Sequence, residues 1–158
     1  MISTAMPSIV YDPDIEYSVM HKYHKWLTPY VYQLIYANSK EFGVSVNDIC
    51  GLITEESNGD ANAISCANAR GLMQVMPFHN GGNSVSLHDE SLNIYLGSKY
   101  YMWCLRYAKG NKKEALRFYN AGPASNRKNY RNWRYVNDII AHAGITKRMI
   151  ENYRIIVE

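Results

Sequence analysis

Nothing in this chain approaches the roughly 18 consecutive apolar residues that mark a bilayer-spanning helix, so no stable membrane anchor is expected. The opening residues, MISTAMPSIVYDPDIEY, lack a basic cluster and a long apolar run, so no signal peptide is expected either. Cysteine is scarce: Cys50, Cys66 and Cys104 are odd in number, widely spaced and outside any CxxC or metal-ligand pattern. That excludes a disulfide framework and a cysteine zinc site. All three read as reduced small hydrophobes, with room for one disulfide at most. His21 and His24 stand three apart with no evident third ligand, so they read as surface histidines. No metal and no other cofactor is expected. Internal repeats and low-complexity segments are absent.

Acids are missing from one window. Between Lys99 and Arg134 ten Lys and Arg face a single acid, Glu114, in a chain whose net charge is only +3. Such a region suits an anionic partner, and nucleic acid and the bacterial cell wall are both anionic. Aromatics interleave with the basic residues (Tyr107, Phe118, Tyr119, Tyr130, Trp133, Tyr135), as in single-strand binders. A solvated face over a buried aromatic core has the same pattern. No nucleic-acid-binding motif accompanies the window, so no nucleic acid is expected as partner.

With 158 residues and a 47% hydrophobic fraction, the chain is long enough for one domain with a real core. Residues 1–15 carry two prolines and no periodicity, and read as a loosely ordered N-terminal arm. Residues 16–158 read as a single domain, mainly α, with six or seven helices and a small β element. A short helix is expected over 16–26. Thr28-Pro29 reads as a cap and first helical residue. Tyr30, Val31, Leu34, Ile35, Asn38 and Phe42 then mark one face, closed by Gly43. Ser45 or Asn47 opens the next helix, broken at Asn58-Gly59-Asp60. Residues 60–85 have no helical period; Ile64-Ser65 and Leu72–Val75 could pair as strands, and His79–Asn83 reads as a flexible turn. Asp89 caps a helix to about Ala108, apolar nearly all round and therefore expected to be central. Asn111 and Glu114 resemble a capping box, and Gly122-Pro123 closes that helix. Tyr130, Trp133, Val136, Ile139 and Ile140 predict a further helix ending at Gly144. Thr146 is then expected to cap a last one, with Ile145 and Ile150 as a hydrophobic staple and Tyr153 and Ile156 packing inward.

One acid stands out of place. Ile49, Leu52, Ile53 and Glu56 follow i, i+3, i+4, i+7 and share a face that is otherwise apolar. Glu55 lies about 100° away, towards the polar side. Burial raises a carboxyl pKa, and a carboxylic acid still protonated near neutral pH is a general acid. A core-edge Glu neutralised by an Arg would show the same pattern.

The surrounding residues carry a resemblance. Glu56-Ser57, Ala63-Ile64-Ser65, Gly71-Leu72-Met73-Gln74-Val75-Met76-Pro77, Tyr119-Asn120-Ala121-Gly122 and Tyr135-Val136 occur in this order, with Asn93-Ile94 and Leu96-Gly97 between. Over roughly residues 29–140 the chain resembles the soluble lytic transglycosylase domain of the goose-type lysozyme-like superfamily. The resemblance implies a lysozyme-like fold and cleavage of peptidoglycan between N-acetylmuramic acid and N-acetylglucosamine, with 1,6-anhydro ends. It implies Glu56 as acid and then base, and Ser57, Ser65, Gln74, Met76, Tyr119, Asn120 and Tyr135 as substrate-binding or cleft residues. Tyr135 matches the tyrosine whose hydroxyl lies near the acid; for Met73, packing is the expected role. Two departures stand out. Ser65-Cys66-Ala67-Asn68-Ala69 lacks the family's Pro and Gly, although Asn68 tolerates the left-handed region. Phe118 stands where the family prefers Ala.

Glycosidases usually need two carboxylates, and the motifs supply one; Asp60 lies beyond the Gly59 break with its direction open. A goose-type lysozyme-like hydrolase and a non-catalytic wall-binding or virion protein on the same fold are the rival readings. The expected partner is the peptidoglycan glycan strand, met by a monomer at the cell wall or periplasm after synthesis in the cytoplasm. A phage lysin, a virion-borne enzyme or a secretion-machine component would each fit.

Overall fold

The computed structural model describes residues 12–122 and 133–157, with side chains as far as Tyr153. Within these residues lie six α-helices: α1 (Pro13–Tyr23), α2 (Pro29–Phe42), α3 (Val46–Ser57), α4 (Glu90–Tyr107), α5 (Lys112–Ala121) and α6 (Trp133–Val157). Short 3₁₀ turns at Pro77–Asn80 and Val85–His88 punctuate the long connection between α3 and α4. The mainly α class expected from the sequence is what the chain adopts.

Local chemistry sets most boundaries. Thr28 caps α2 by accepting from Val31 N at 3.1 Å, and Gly43 ends it at φ 66°. Asp12-Pro13 repeats this device at α1, so that helix begins before residue 16 and ends at Tyr23. Of the N-terminal arm expected over residues 1–15, residues 1–11 lie outside the described residues. Asp89 caps α4 through Leu92 N, and Asn111 caps α5 through Glu114 N. The Glu114 carboxylate pairs with Arg117 rather than returning to the cap.

The centre of the fold is α3, not α4. Every residue of α3 from Val46 to Ile53 except Asn47 is buried. Its principal neighbour is α6, and the two approach closely at Gly51, where a Cβ would sit 3.0 Å from the Ile139 carbonyl oxygen. By contrast α4 is amphipathic: Ile94, Tyr101 and Cys104 are buried, while Tyr95, Trp103 and Tyr107 are exposed. Tyr30 also differs from expectation, since it points outward from the first turn of α2.

Two further corrections have tertiary causes. No break occurs at Gly144: α6 runs through it, because Ala143, Thr146 and Ile150 stay buried on both sides of the glycine. Thr146 therefore caps nothing and turns its hydroxyl back to the carbonyls of His142 and Ala143, both at 3.2 Å. With no new helix start there is no Ile145–Ile150 staple. Tyr130 and the side chain of Ile156 lie outside the described residues. The expected strand pair is reduced to isolated antiparallel bridges, Ile64 with Arg70 and Arg70 with Val75. Cys50, Cys66 and Cys104 are all free, with Cys66 exposed rather than packed.

Candidate functional site

Glu56 occupies the last turn of α3, with Ser57 and then Asn58 closing the helix in the left-handed region. Tyr135, in the first turn of α6, donates its hydroxyl hydrogen bond to Glu56 Oε1. Among the described residues no cation pairs with this carboxyl. Burial pushes it from the ordinary 4.5 up to about 7; the Tyr135 hydrogen bond pulls the other way, and the neighbouring Glu55 charge adds to the rise. Glu55 is not simply on a polar side. It is partly buried towards α6, and its carboxyl is also raised, first by burial and then by Asp138, against the lowering influence of His142 and Arg134. Asp60, whose direction the sequence left open, spends an oxygen on Asn62 N at 2.8 Å and is exposed.

The loop beneath Glu56 is fastened residue by residue. Ser57 Oγ donates to Leu72 O at 2.8 Å, which ties the end of α3 to the G-L-M-Q segment. Gly71 has φ 72°, and a Cβ there would lie 2.5 Å from both Asn93 Nδ2 and Leu87 O, so only glycine fits. Asn93, fully buried on α4, accepts from Met73 N and donates to Arg70 O and Leu87 O, each at 2.8 Å. One turn on, Gly97 gives room to Met73, whose Sδ would stand 2.6 Å from an added Cβ. The N-I-x-x-G element is thus the clamp of the loop, a role its spacing alone did not reveal. Met73 packs, as expected, with no exposed surface. Gln74 takes φ 48° and bonds Ala63 O at 3.2 Å and Gly71 O at 3.0 Å. Ser65 Oγ caps its own loop by accepting from Ala69 N at 3.0 Å, while Asn68 adopts φ 69° in place of the family's glycine.

Tyr119 joins the two parts. Its hydroxyl donates to Met73 O at 2.8 Å and is held well above the ordinary phenol range, by burial first and then by the Glu56 charge. Its ring lines a cavity of about 320 Å³ together with Gln74, Met76, Asn120, His79 and Tyr100. So Glu56, Ser57, Tyr135 and Tyr119 cluster at the helix end, and Gln74, Met76 and Asn120 line the adjoining cavity with Tyr119. Ser65 lines neither. Phe118 sets its ring edge-on to Tyr107 at 5.2 Å.

Some placements carried no readable signal in the sequence. His24 is buried, not a surface histidine: its Nδ1 meets Thr54 Oγ1 at 2.9 Å, and burial followed by His142 lowers its pKa to about 4. His79, read as part of a flexible turn, sits with Phe78 on an ordered 3₁₀ turn. The described residues contain no cluster of ligands fit for a metal ion.

The family described as Transglycosylase SLT domain matches residues 33–140. The chain belongs to this family. Among curated proteins, this SLT chain is 32% identical over 89 residues to a membrane-bound lytic murein transglycosylase E of Buchnera aphidicola subsp. Baizongia pistaciae, covering 49% of the chain and 40% of the relative. It is 35% identical over 81 residues to a membrane-bound lytic murein transglycosylase C of Actinobacillus succinogenes, covering 43% of the chain and 22% of the relative. The SLT chain thus spans well under half the length of either relative. Among solved structures it resembles an X-ray structure of the lytic transglycosylase Slt of Pseudomonas aeruginosa, an inactive glutamate-to-glutamine mutant. The TM-score is 0.68 at 23% identity, over 75% of this chain and 24% of that one. The lysozyme-like fold expected from the SLT motifs is therefore the fold observed. No described helix is long and apolar enough to cross a membrane.

Proposed function

We propose that this domain cleaves the β-1,4 bond between N-acetylmuramic acid and N-acetylglucosamine in peptidoglycan as a lytic transglycosylase, with Glu56 as the only proton-transferring side chain. The observation that carries this reading is Glu56 itself: a desolvated carboxyl near pKa 7, held by a phenol and matched by no cation among the described residues. At neutral pH such a group is part acid and part base, which suits a residue that must act as each in turn.

In the first step Glu56 gives its proton to the glycosidic oxygen as the bond to C1 breaks. The substrate's acetamido oxygen stabilises the electron-poor C1. In the second step the Glu56 carboxylate takes the proton of the sugar's own 6-hydroxyl as O6 bonds to C1. The acid is regenerated, no water is consumed, and the internal hydroxyl outcompetes water by proximity. Gln74, Met76, Tyr119 and Asn120 hold the strand in the cavity, Tyr135 orients Glu56, and Ser57 and Ser65 keep the loops in register.

The hydrolase reading needs a second carboxylate to activate water. Asp60 is exposed and engaged with Asn62 N, and Glu55 is turned towards α6, so neither favours it. Digestion of purified peptidoglycan followed by mass spectrometry tests the proposal. Anhydro ends, lighter by one water than reducing ends, are the expected product; reducing ends as the main product would place the domain among the hydrolases.

A further inference from the structure

The outer face of α4 carries Tyr100, Trp103 and Tyr107 at i, i+3, i+7, one stripe of the helix. Their rings are nearly parallel: 10° between Tyr100 and Trp103 with centroids 5.8 Å apart, and 19° between Trp103 and Tyr107 at 5.1 Å. Rings in full face contact would sit about 3.5–4 Å apart, so these overlap like shingles and each leaves part of a face open. At its inner end the stripe continues through His79, 4.5 Å from Tyr100, to Phe78, 4.2 Å from His79. Phe78, Trp103 and Tyr107 are 70%, 41% and 56% exposed, a contiguous apolar surface of the kind that marks a binding groove. Packing explains Tyr100, whose hydroxyl donates to Phe118 O, and partly Tyr107, which meets the Phe118 ring. It does not explain Trp103, which lies on the outside of the helix between its two neighbours.

A groove of about 660 Å³ is lined by Phe78, His79, Tyr100 and Trp103, and Tyr107 continues the stripe beyond it through its stacking on Trp103. Phe78, His79 and Tyr100 line both this groove and the cavity that holds Gln74, Met76, Tyr119 and Asn120. The two are therefore one continuous depression. Lys99 stands on the groove wall, a cation suited to the carboxylates of an anionic wall polymer.

We propose that the aromatic track on α4 is an extension of the cleft that binds further sugar rings of the same glycan strand, away from the bond that is cut. A β-1,4-linked pyranose presents a flat C–H face that stacks on an aromatic ring. From Tyr100 to Tyr107 the helix rises roughly 10 Å, the length of a disaccharide. This inference rests on the proposed function, because it needs a glycan in the cavity.

The test is calorimetric titration of the Glu56→Gln chain with N-acetylglucosamine oligomers of increasing length. Affinity should rise with length, and Trp103→Ala in the same background should remove roughly ten-fold of that gain, with Trp103→Phe restoring most of it. Tyr107→Ala, at a more exposed position, should act in the same direction if Trp103→Ala folds poorly. Tyr30→Ala, an exposed aromatic on α2, should leave the length dependence intact. Length dependence that survives both Trp103→Ala and Tyr107→Ala in folded chains overturns the track while leaving the proposed function standing. Absence of binding at every length overturns the track together with the glycan reading of the cavity. Should Trp103→Ala dissociate a dimer and leave oligomer affinity unchanged, the stripe is a self-contact and the proposal falls.

Discussion

Two carboxylates ride on the same helix, eight residues apart and roughly 12 Å along its axis, and the protein treats them in opposite ways. Asp48 lies in the first turn of α3, 5% exposed, with Lys112 Nζ at 2.8 Å and the Tyr101 hydroxyl at 3.2 Å. The positive end of the helix dipole also favours charge there. Glu56 lies in the last turn, where the dipole disfavours a negative charge, and has a phenol and another acid for company. A carboxylate given a cation serves the scaffold. One denied a cation, at the wrong end of a helix and out of water, keeps its proton until near neutrality. Position on the helix and choice of partner separate structure from chemistry.

The largest test of this contrast is Glu56→Gln. It keeps shape and hydrogen bonding but cannot move a proton. Since one residue would serve both steps, the loss of wall-clearing activity should reach or pass about 10⁴-fold, while Glu55→Gln stays within a few-fold. Stability should move the other way. A carboxyl whose folded pKa is raised from 4.5 to about 7 contributes stability below pH 4.5 that fades as pH climbs through 7. Glu56→Gln should thus melt higher than the parent above pH 7, by at most about 3 kcal/mol, and show no such advantage at pH 4. An active, folded Glu56→Gln would sink the single-acid mechanism.

Breaking the other carboxylate should do the reverse. Lys112→Ala strands Asp48 in the interior with only Tyr101. Removing one partner of a fully enclosed pair costs about 3–5 kcal/mol; Lys112 is 46% exposed, so about 1–3 kcal/mol is expected after solvent screening. Melting curves should show that loss, with cleavage per folded molecule unchanged. Next comes the loop on which Glu56 depends. Gly97→Ala forces a methyl against Met73 at a cost of about 1–3 kcal/mol, and because Met73 O holds Tyr119, activity should fall along with melting temperature. The smallest effect sharpens the tuning itself. Tyr135→Phe removes a hydrogen bond that favours the charged form of Glu56, so its pKa rises further. The alkaline fall in cleavage rate should move up by about one pH unit; a downward move would mean that Tyr135 acts on the substrate instead.

How far these positions were legible in the sequence follows from how local their causes are. The ends of α2 were readable because Thr28, Pro29 and Gly43 act within one turn of themselves. The phase of Glu56 was readable because a 3.6-residue period needs only its own helix. Asn68 could be read as a turn residue from its side chain alone. His24 could not: its burial is made by Thr54, thirty residues away, and by Trp26 and His142. Gly144 misled because a stop signal is weak against a helix face already buried on both sides of it. The pattern of α4 misled because Tyr and Trp score as apolar whether they are buried like Tyr101 or displayed like Trp103. Ser65 matched a motif, but a hydroxyl's partner is decided by a loop geometry no periodicity reports.

Asn93 has one more consequence. A single side chain on α4 gathers the backbone at residues 70, 73 and 87, three separate points of a floor that Ser57 and Tyr119 also pin. Loss of Asn93 would remove three ties at once and leave more of the work to the buried Leu72 and Met73, which makes the segment a candidate for local opening below the cost of global unfolding. Such an opening would carry Met73 O away from Tyr119 and so reshape the cavity that Tyr119 lines. Any breathing of this small unit would then also be a change in the shape of the entrance.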